Sequence, residues 1–132
     1  MGLKIELKPH ERFILGGAVV RNGGSRTELI IENNVPLLRG KNILSVEEAD
    51  TPCKRIFFVV QLMYVGGGDM KEYHRTYWEL VNEVLKAAPS RVGLIHTISE
   101  TILGGHYYQA LKAARELIDY EERLVNHVRK ST

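Results

Sequence analysis

Residues 3–39, LKIELKPHERFILGGAVVRNGGSRTELIIENNVPLLR, decide the first half of the fold. Leu3, Ile5 and Leu7 alternate with Lys4, Glu6 and Lys8, the period of two expected of a strand with one buried face. Pro9-His10 ends that strand, because proline has no N–H to give to a ladder. Phe13-Ile14-Leu15 resumes it, and Gly16-Gly17 marks a bulge or a close backbone approach. Ala18-Val19-Val20-Arg21 then runs into Asn22-Gly23-Gly24, which predicts a hairpin, since Asn and Gly accept positive φ. Thr27 to Glu32 returns, Asn33-Asn34 turns again, and Val35 to Arg39 closes the series. Turn signals so evenly spaced predict a small antiparallel sheet or barrel.

From Thr51 the period changes. Thr51-Pro52 reads as an N-cap with proline at the first helical position. Arg55 to Val65 is apolar nearly all round and predicts a buried helix, although the β-branched pair Val59-Val60 leaves a strand open there. Gly66-Gly67-Gly68 closes the segment as a joint. Asp69 with Glu72 three residues on is a capping box, followed by Met70, Tyr73, Tyr77, Leu80, Val81, Val84 and Leu85 at helical spacing. Ala88-Pro89 stops that helix. Ser90 predicts the cap of a third, with Leu94, Ile95, Ile98 and Ile102 inward and Gly104-Gly105 at its end. A fourth is predicted from Tyr107 to Lys130, with Leu111, Ala114, Ile118, Leu124 (or Val125) and Val128 inward. Arg129 and Lys130 fall where the helix dipole favours cations. The fold class is α+β: an antiparallel β-module over residues 1–48, then a helical subdomain over 49–132 packed on it.

At 132 residues and 44% hydrophobic content the chain buries a core without staples. Cys53 is the only cysteine, which excludes an internal disulfide and the disulfide-rich secreted class. No apolar run approaches the ~20 residues needed to cross a bilayer, and the N-terminus lacks a signal-peptide core. Glu6 stands where N-myristoylation needs Ser or Thr. The expectation is a cytoplasmic protein with no membrane partner.

Charge is unevenly spread. Residues 1–44 hold seven Lys and Arg against four acids, and the remainder holds 11 against 12. A basic first third is what an RNA-facing module needs, and equally what a solvated strand surface shows.

Patterns for chemistry fall short. His10, His74, His96, His106 and His127 form no H-E-x-x-H or i,i+4 pair, so no metal site is expected. Cys53, in the first turn of a buried helix, reads as a small hydrophobe rather than a nucleophile. Gly66-Gly67-Gly68-Asp69 lacks the lysine and spacing of a phosphate loop, and adjacent Glu121-Glu122 face different ways. No catalytic residue, metal or cofactor is expected.

Three stretches carry a resemblance: residues 3–22 (LKIELKPHERFILGGAVVRN), 50–56 (DTPCKRI) and 60–64 (VQLMY). Together with the order of elements and the length, they are similar to the FlbT family of flagellum biosynthesis regulators. Glycine commonly stands there where this sequence has His10. The resemblance implies a post-transcriptional regulator, not an enzyme, that associates with the 5′ untranslated leader of flagellin mRNA and controls its translation and stability. It also implies functional links to flagellin and to the flagellin-secretion factor FlaF.

The first 45 residues resemble, more distantly, the carbon storage regulator (CsrA) family, small β-proteins that dimerise by interleaving strands and bind mRNA leaders. Carried over by position, Arg39 becomes the principal RNA contact, with Ile5 and Lys8 on the paired first strand. Leu7 departs from the pattern, standing where that family has an arginine. The resulting RNA-binding set is Lys4, Ile5, Lys8, Arg12, Arg26, Arg39 and Lys41, expected to converge on one side of a sheet. A second function class is a protein-interaction module that holds flagellin or FlaF between helices through Trp78, Tyr107 or Tyr108, aromatics that core packing also explains. Open edges in so small a β-module predict a homo-oligomer, a dimer in the first instance.

Overall fold

A computed structural model describes residues 2–66 and 68–131, the side chains of Lys41 and of residues 129–131 excepted. Five strands lead: β1 (Leu3–Leu7), β2 (Arg12–Leu15), β3 (Ala18–Arg21), β4 (Thr27–Ile31) and β5 (Leu37–Arg39). Four helices follow: α1 (Pro52–Val65), α2 (Met70–Ala87), α3 (Val92–Leu103) and α4 (Tyr107–Ser131). The fold is α+β, as the change of period at Thr51 predicts. Two compact units divide the chain, residues 1–43 with 65–67, and residues 44–64 with 68–132.

The strands form two small antiparallel sheets, β1–β4 and β3–β2–β5. The hairpin expected at Asn22-Gly23-Gly24 does not form, because β4 pairs with β1, Ile5 facing Leu29 and Leu7 facing Thr27. That pairing gathers Ile5, Leu7, Leu29 and Ile31 on one face, while Ile30, opposite Lys4, stays exposed on the other and Leu3 at the ladder's end is exposed as well. Ile5, Leu7 and Phe13 form a buried cluster, with Leu15, Val20, Leu29, Ile31 and Leu37 packed against them. The hairpin lies instead at Gly16-Gly17, with Leu15 opposite Ala18. Gly16 has φ +60°, the first position of a II′ turn, where a side chain would be strained. Asn22 is an anchor: its amide donates to the carbonyls of Lys8 (2.8 Å) and Ser25 (3.0 Å), fixing the loop against the end of β1.

The joint between β1 and β2 is a tight turn. Glu11 N donates to Lys8 O at 3.1 Å, with Pro9 second and His10 third at φ 64°. This is the arrangement of a type II turn, whose third position favours glycine. His10 therefore occupies, at a steric cost, the place where the family resemblance puts glycine.

In the helical unit, Thr51 caps α1 by accepting from Lys54 N at 3.2 Å, and Gly66 ends it at φ +79°. The stretch reads as helix, not strand; Cys53, Ile56, Phe57, Val59, Val60, Gln61 and Met63 are buried. Gln61 is satisfied there because its amide bonds both the N–H and the carbonyl of Leu44, each at 2.9 Å. Asp69 caps α2 through Lys71 N at 3.0 Å, whereas Glu72 pairs with Arg75. Ser90 caps nothing; it lies in a 3₁₀ turn, Pro89–Arg91, that precedes α3. Tyr77 and Ser99 share a buried hydrogen bond of 2.8 Å between α2 and α3.

α4 buries Ala110, Leu111, Ala114, Leu117 and Ile118, but Leu124, Val125 and Val128 are exposed. Its inward stripe therefore stops at Ile118, nearly three turns short of Val128, where the periodicity predicts its end. Arg129 and Lys130 lie outside the residues whose side chains are described. Among the described residues no helix is long and apolar enough to cross a membrane.

Candidate nucleic-acid interface

Three of the predicted cations meet in one place. Where β1 ends, β2 begins and β5 runs out, Lys8, Glu11, Arg12, Arg39, Gly40 and Asn42 line a cleft of about 530 Å³. Lys8 follows β1 and precedes the turn, Arg12 opens β2, and Arg39 closes β5 opposite Phe13. One acid, Glu11, stands among three bases.

Arg39 is the most constrained of them. Its Nε donates to Glu11 Oε2 at 3.0 Å and its Nη2 to Glu11 Oε1 at 3.1 Å, a two-pronged pair. Nη2 also donates to the Glu6 carbonyl. Arg39 thus ties β5, in one sheet, to β1, in the other. Glu11 further accepts from the Lys8 backbone N–H at 3.0 Å. The Arg39 hydrogen bond first, and the Lys8 amide second, hold the Glu11 carboxyl below its ordinary value of 4.5. Arg39 keeps 40% of its side chain exposed and Glu11 only 15%, so the guanidinium retains a solvent face.

Arg12 is different. It lies directly across the β2–β3 ladder from Arg21, and both are exposed. Like charges in that position repel. Neither arginine makes an ion pair among the described residues, so the pair's positive charge is left to solvent or to a polyanion. Arg21 belongs to this basic edge and was absent from the predicted set, because the facing of two arginines depends on a register that local spacing does not reveal.

The other predicted residues are placed apart. Lys4 lies on the exposed face of β1 and pairs with Glu28 at 3.2 Å. Ile5 is 7% exposed and its side chain belongs to the core, because the period of two that exposes Lys4 turns Ile5 inward. Arg26 is exposed and immediately precedes Thr27, the first residue of β4, and is not among the residues that line the cleft. Lys41 falls in the 3₁₀ turn Gly40–Asn42 after β5, and its side chain lies outside the described residues. The convergence predicted for Lys4, Lys8, Arg26 and Arg39 is therefore partial: Lys8 and Arg39 share the cleft with Arg12, while Lys4 is engaged elsewhere.

Of the aromatics, Trp78 is 44% and Tyr108 45% exposed, and Tyr107 is half-buried. Each of the first two is also packed against a ring: Trp78 meets the buried Tyr77 edge-on at 5.1 Å between centroids, and Tyr108 meets Tyr64 at 5.6 Å. Cys53 is buried, and that burial, reinforced by the Glu121 carboxylate, pushes its thiol up to about 12. At neutral pH it is a thiol, which is a poor nucleophile.

Residues 3–125 match the family model described as flagellar protein FlbT. The chain belongs to the FlbT family. It is 48% identical over 125 residues to the probable flagellum biosynthesis repressor protein FlbT 1 of Bradyrhizobium diazoefficiens, covering 94% of this chain and 85% of that one. It is 41% identical to the probable flagellum biosynthesis repressor protein FlbT of Rhodopseudomonas palustris, covering 96% and 99%. The flagellum biosynthesis repressor protein FlbT of Caulobacter vibrioides is 35% identical, covering 97% and 92%. FlbT relatives so named make this chain a regulator of flagellar synthesis. No solved structure matches the chain.

Proposed function

We propose that this protein regulates flagellin synthesis after transcription, by binding the 5′ untranslated leader of flagellin mRNA in the cytoplasm through the basic cleft of its β-unit. The observation that carries this reading is the gathering of Lys8, Arg12 and Arg39 around one cleft with Glu11 as the single acid. Unpaired leader nucleotides present phosphates and splayed bases to such an edge. Lys8 and Arg12 supply charge for phosphates. Arg39, anchored by Glu11 and the Glu6 carbonyl, presents its remaining face at a fixed angle. No catalytic step or cofactor enters this reading.

A gel-shift titration with labelled flagellin leader tests it. Lys8→Gln and Arg12→Gln should each weaken binding by roughly three- to tenfold, and uniformly across leader sequences, as lost phosphate contacts do. Lys4→Gln, which removes a cation already paired with Glu28, should change little. Equal losses in all three would contradict a localised cleft.

The exposed Trp78 and the uncovered Leu124, Val125 and Val128 of α4 favour a second reading, in which the helical unit holds flagellin or FlaF and any effect on mRNA is indirect. Leader binding by the purified protein alone separates the two. Pairing of two copies along the open edges of the β1–β4 ribbon is the dimer this fold would support, checked by sedimentation equilibrium.

A further inference from the structure

The seam between α1 and α4 carries a second collection of cations, arranged around rings. The two helices run antiparallel: Thr51 bonds Glu121 at one end, Arg115 lies over Phe57 midway, and Tyr64 meets Tyr108 at the other. The Tyr64 and Tyr108 centroids are 5.6 Å apart with planes tilted by 40°. One turn along α4 the Lys112 ammonium sits 4.9 Å from the Tyr108 ring centroid, and the Arg115 guanidinium lies 4.7 Å from that of Phe57. Neither cation makes an ion pair among the described residues, although Glu116 follows Lys112 by one turn. Acids gather at the opposite end of the seam, where Asp50, Glu121 and Glu122 line another cleft. The Tyr108 end is therefore aromatic and positive, and nearly half of the Tyr108 side chain is open to solvent.

We propose that Tyr64, Tyr108, Lys112 and Arg115 form a base-stacking platform for unpaired nucleotides, an RNA contact on the helical unit in addition to the cleft of the β-unit. A nucleotide brings a flat base and an anionic phosphate together. A partly exposed tyrosine pair bordered by cations that make no ion pair among the described residues complements both, which is how proteins hold single-stranded nucleic acid with little regard to sequence. The proposal rests on the RNA-binding reading above and adds a ligand surface to it.

The test uses the full-length protein and flagellin leader RNA carrying 4-thiouridine. Ultraviolet crosslinking followed by peptide mapping should place adducts on the peptides containing Tyr64 or Tyr108. Tyr108→Ala should lower affinity by about 5- to 100-fold, the usual consequence of losing one stacked base. Tyr108→Phe, which keeps the ring, should bind as the unsubstituted protein does, and Lys112→Gln should weaken binding most at low salt. Tyr108 is at the surface, so unchanged thermal melting of Tyr108→Ala separates a lost contact from a lost fold. If Tyr108→Ala binds normally while Lys8→Gln and Arg12→Gln do not, the platform is overturned and the cleft stands. Failure of the unsubstituted protein to bind the leader overturns both. Normal leader binding by Tyr108→Ala with lost capture of purified flagellin makes the platform a protein surface instead, and equally overturns it.

Discussion

At the scale of single residues, two side chains define the β1–β2 turn and the cleft beside it. His10 sits at φ 64° in the third position of a turn that favours glycine. A left-handed conformation costs an ordinary residue roughly 1–2 kcal/mol, partly offset on substitution by the greater entropy of unfolded glycine. His10→Gly should therefore stabilise the protein by up to about 1 kcal/mol in urea unfolding, and His10→Ala should gain nothing. Glu11 gives a dependence on pH. Its carboxyl is held below 4.5 in the folded state, so the unfolded chain takes up that proton first as the solution is acidified. The stabilisation it brings is complete above about that value and is lost as pH falls through the folded one. Thermal melts from pH 7 to pH 3 should show the unsubstituted protein losing its advantage over Glu11→Gln in that acid range. Glu11→Gln should also bind leader more tightly at neutral pH, because the cleft gains one net positive charge.

At the scale of elements, the strands and helices were legible almost residue by residue, and their partners were not. The alternation in Leu3 to Leu7 and the Asp69 cap are local signals that mark their elements correctly, whereas Asn22-Gly23-Gly24 marks a chain reversal but not the hairpin expected there. Asp69→Ala should cost about 1 kcal/mol by urea unfolding, the usual worth of an N-cap side chain. Pairing depends on which distant strand completes a buried face, and so β4 meets β1 rather than β3. The same non-locality hid the site's constraints. Glu11 and Arg39 stand 28 residues apart with no motif linking them, and Arg12 meets Arg21 only once the β2–β3 register is set. Resemblance to known families pointed to Lys8 and Arg39, but could not show that Glu11 would already hold Arg39. At the far end of α4 periodicity misled, since helical spacing persists at Leu124, Val125 and Val128 after the covering elements have stopped.

At the scale of the whole molecule, charge and fold divide along similar lines. The excess of Lys and Arg lies in the first 44 residues, and the β-unit ends at residue 43 apart from residues 65–67. A basic β-unit joined to a nearly neutral helical unit suits a regulator whose phosphate contacts lie mainly on the first. The test that bears most directly on this is leader affinity measured across a range of salt concentrations. Cations that replace counterions on a single-stranded leader make log K fall linearly with log salt, by about 0.7 for each phosphate engaged. For the unsubstituted protein the account predicts a steep line, made shallower by about 1.4 in the Lys8→Gln/Arg12→Gln double variant. A line of the same slope in both proteins, or one that is flat from the start, would contradict it.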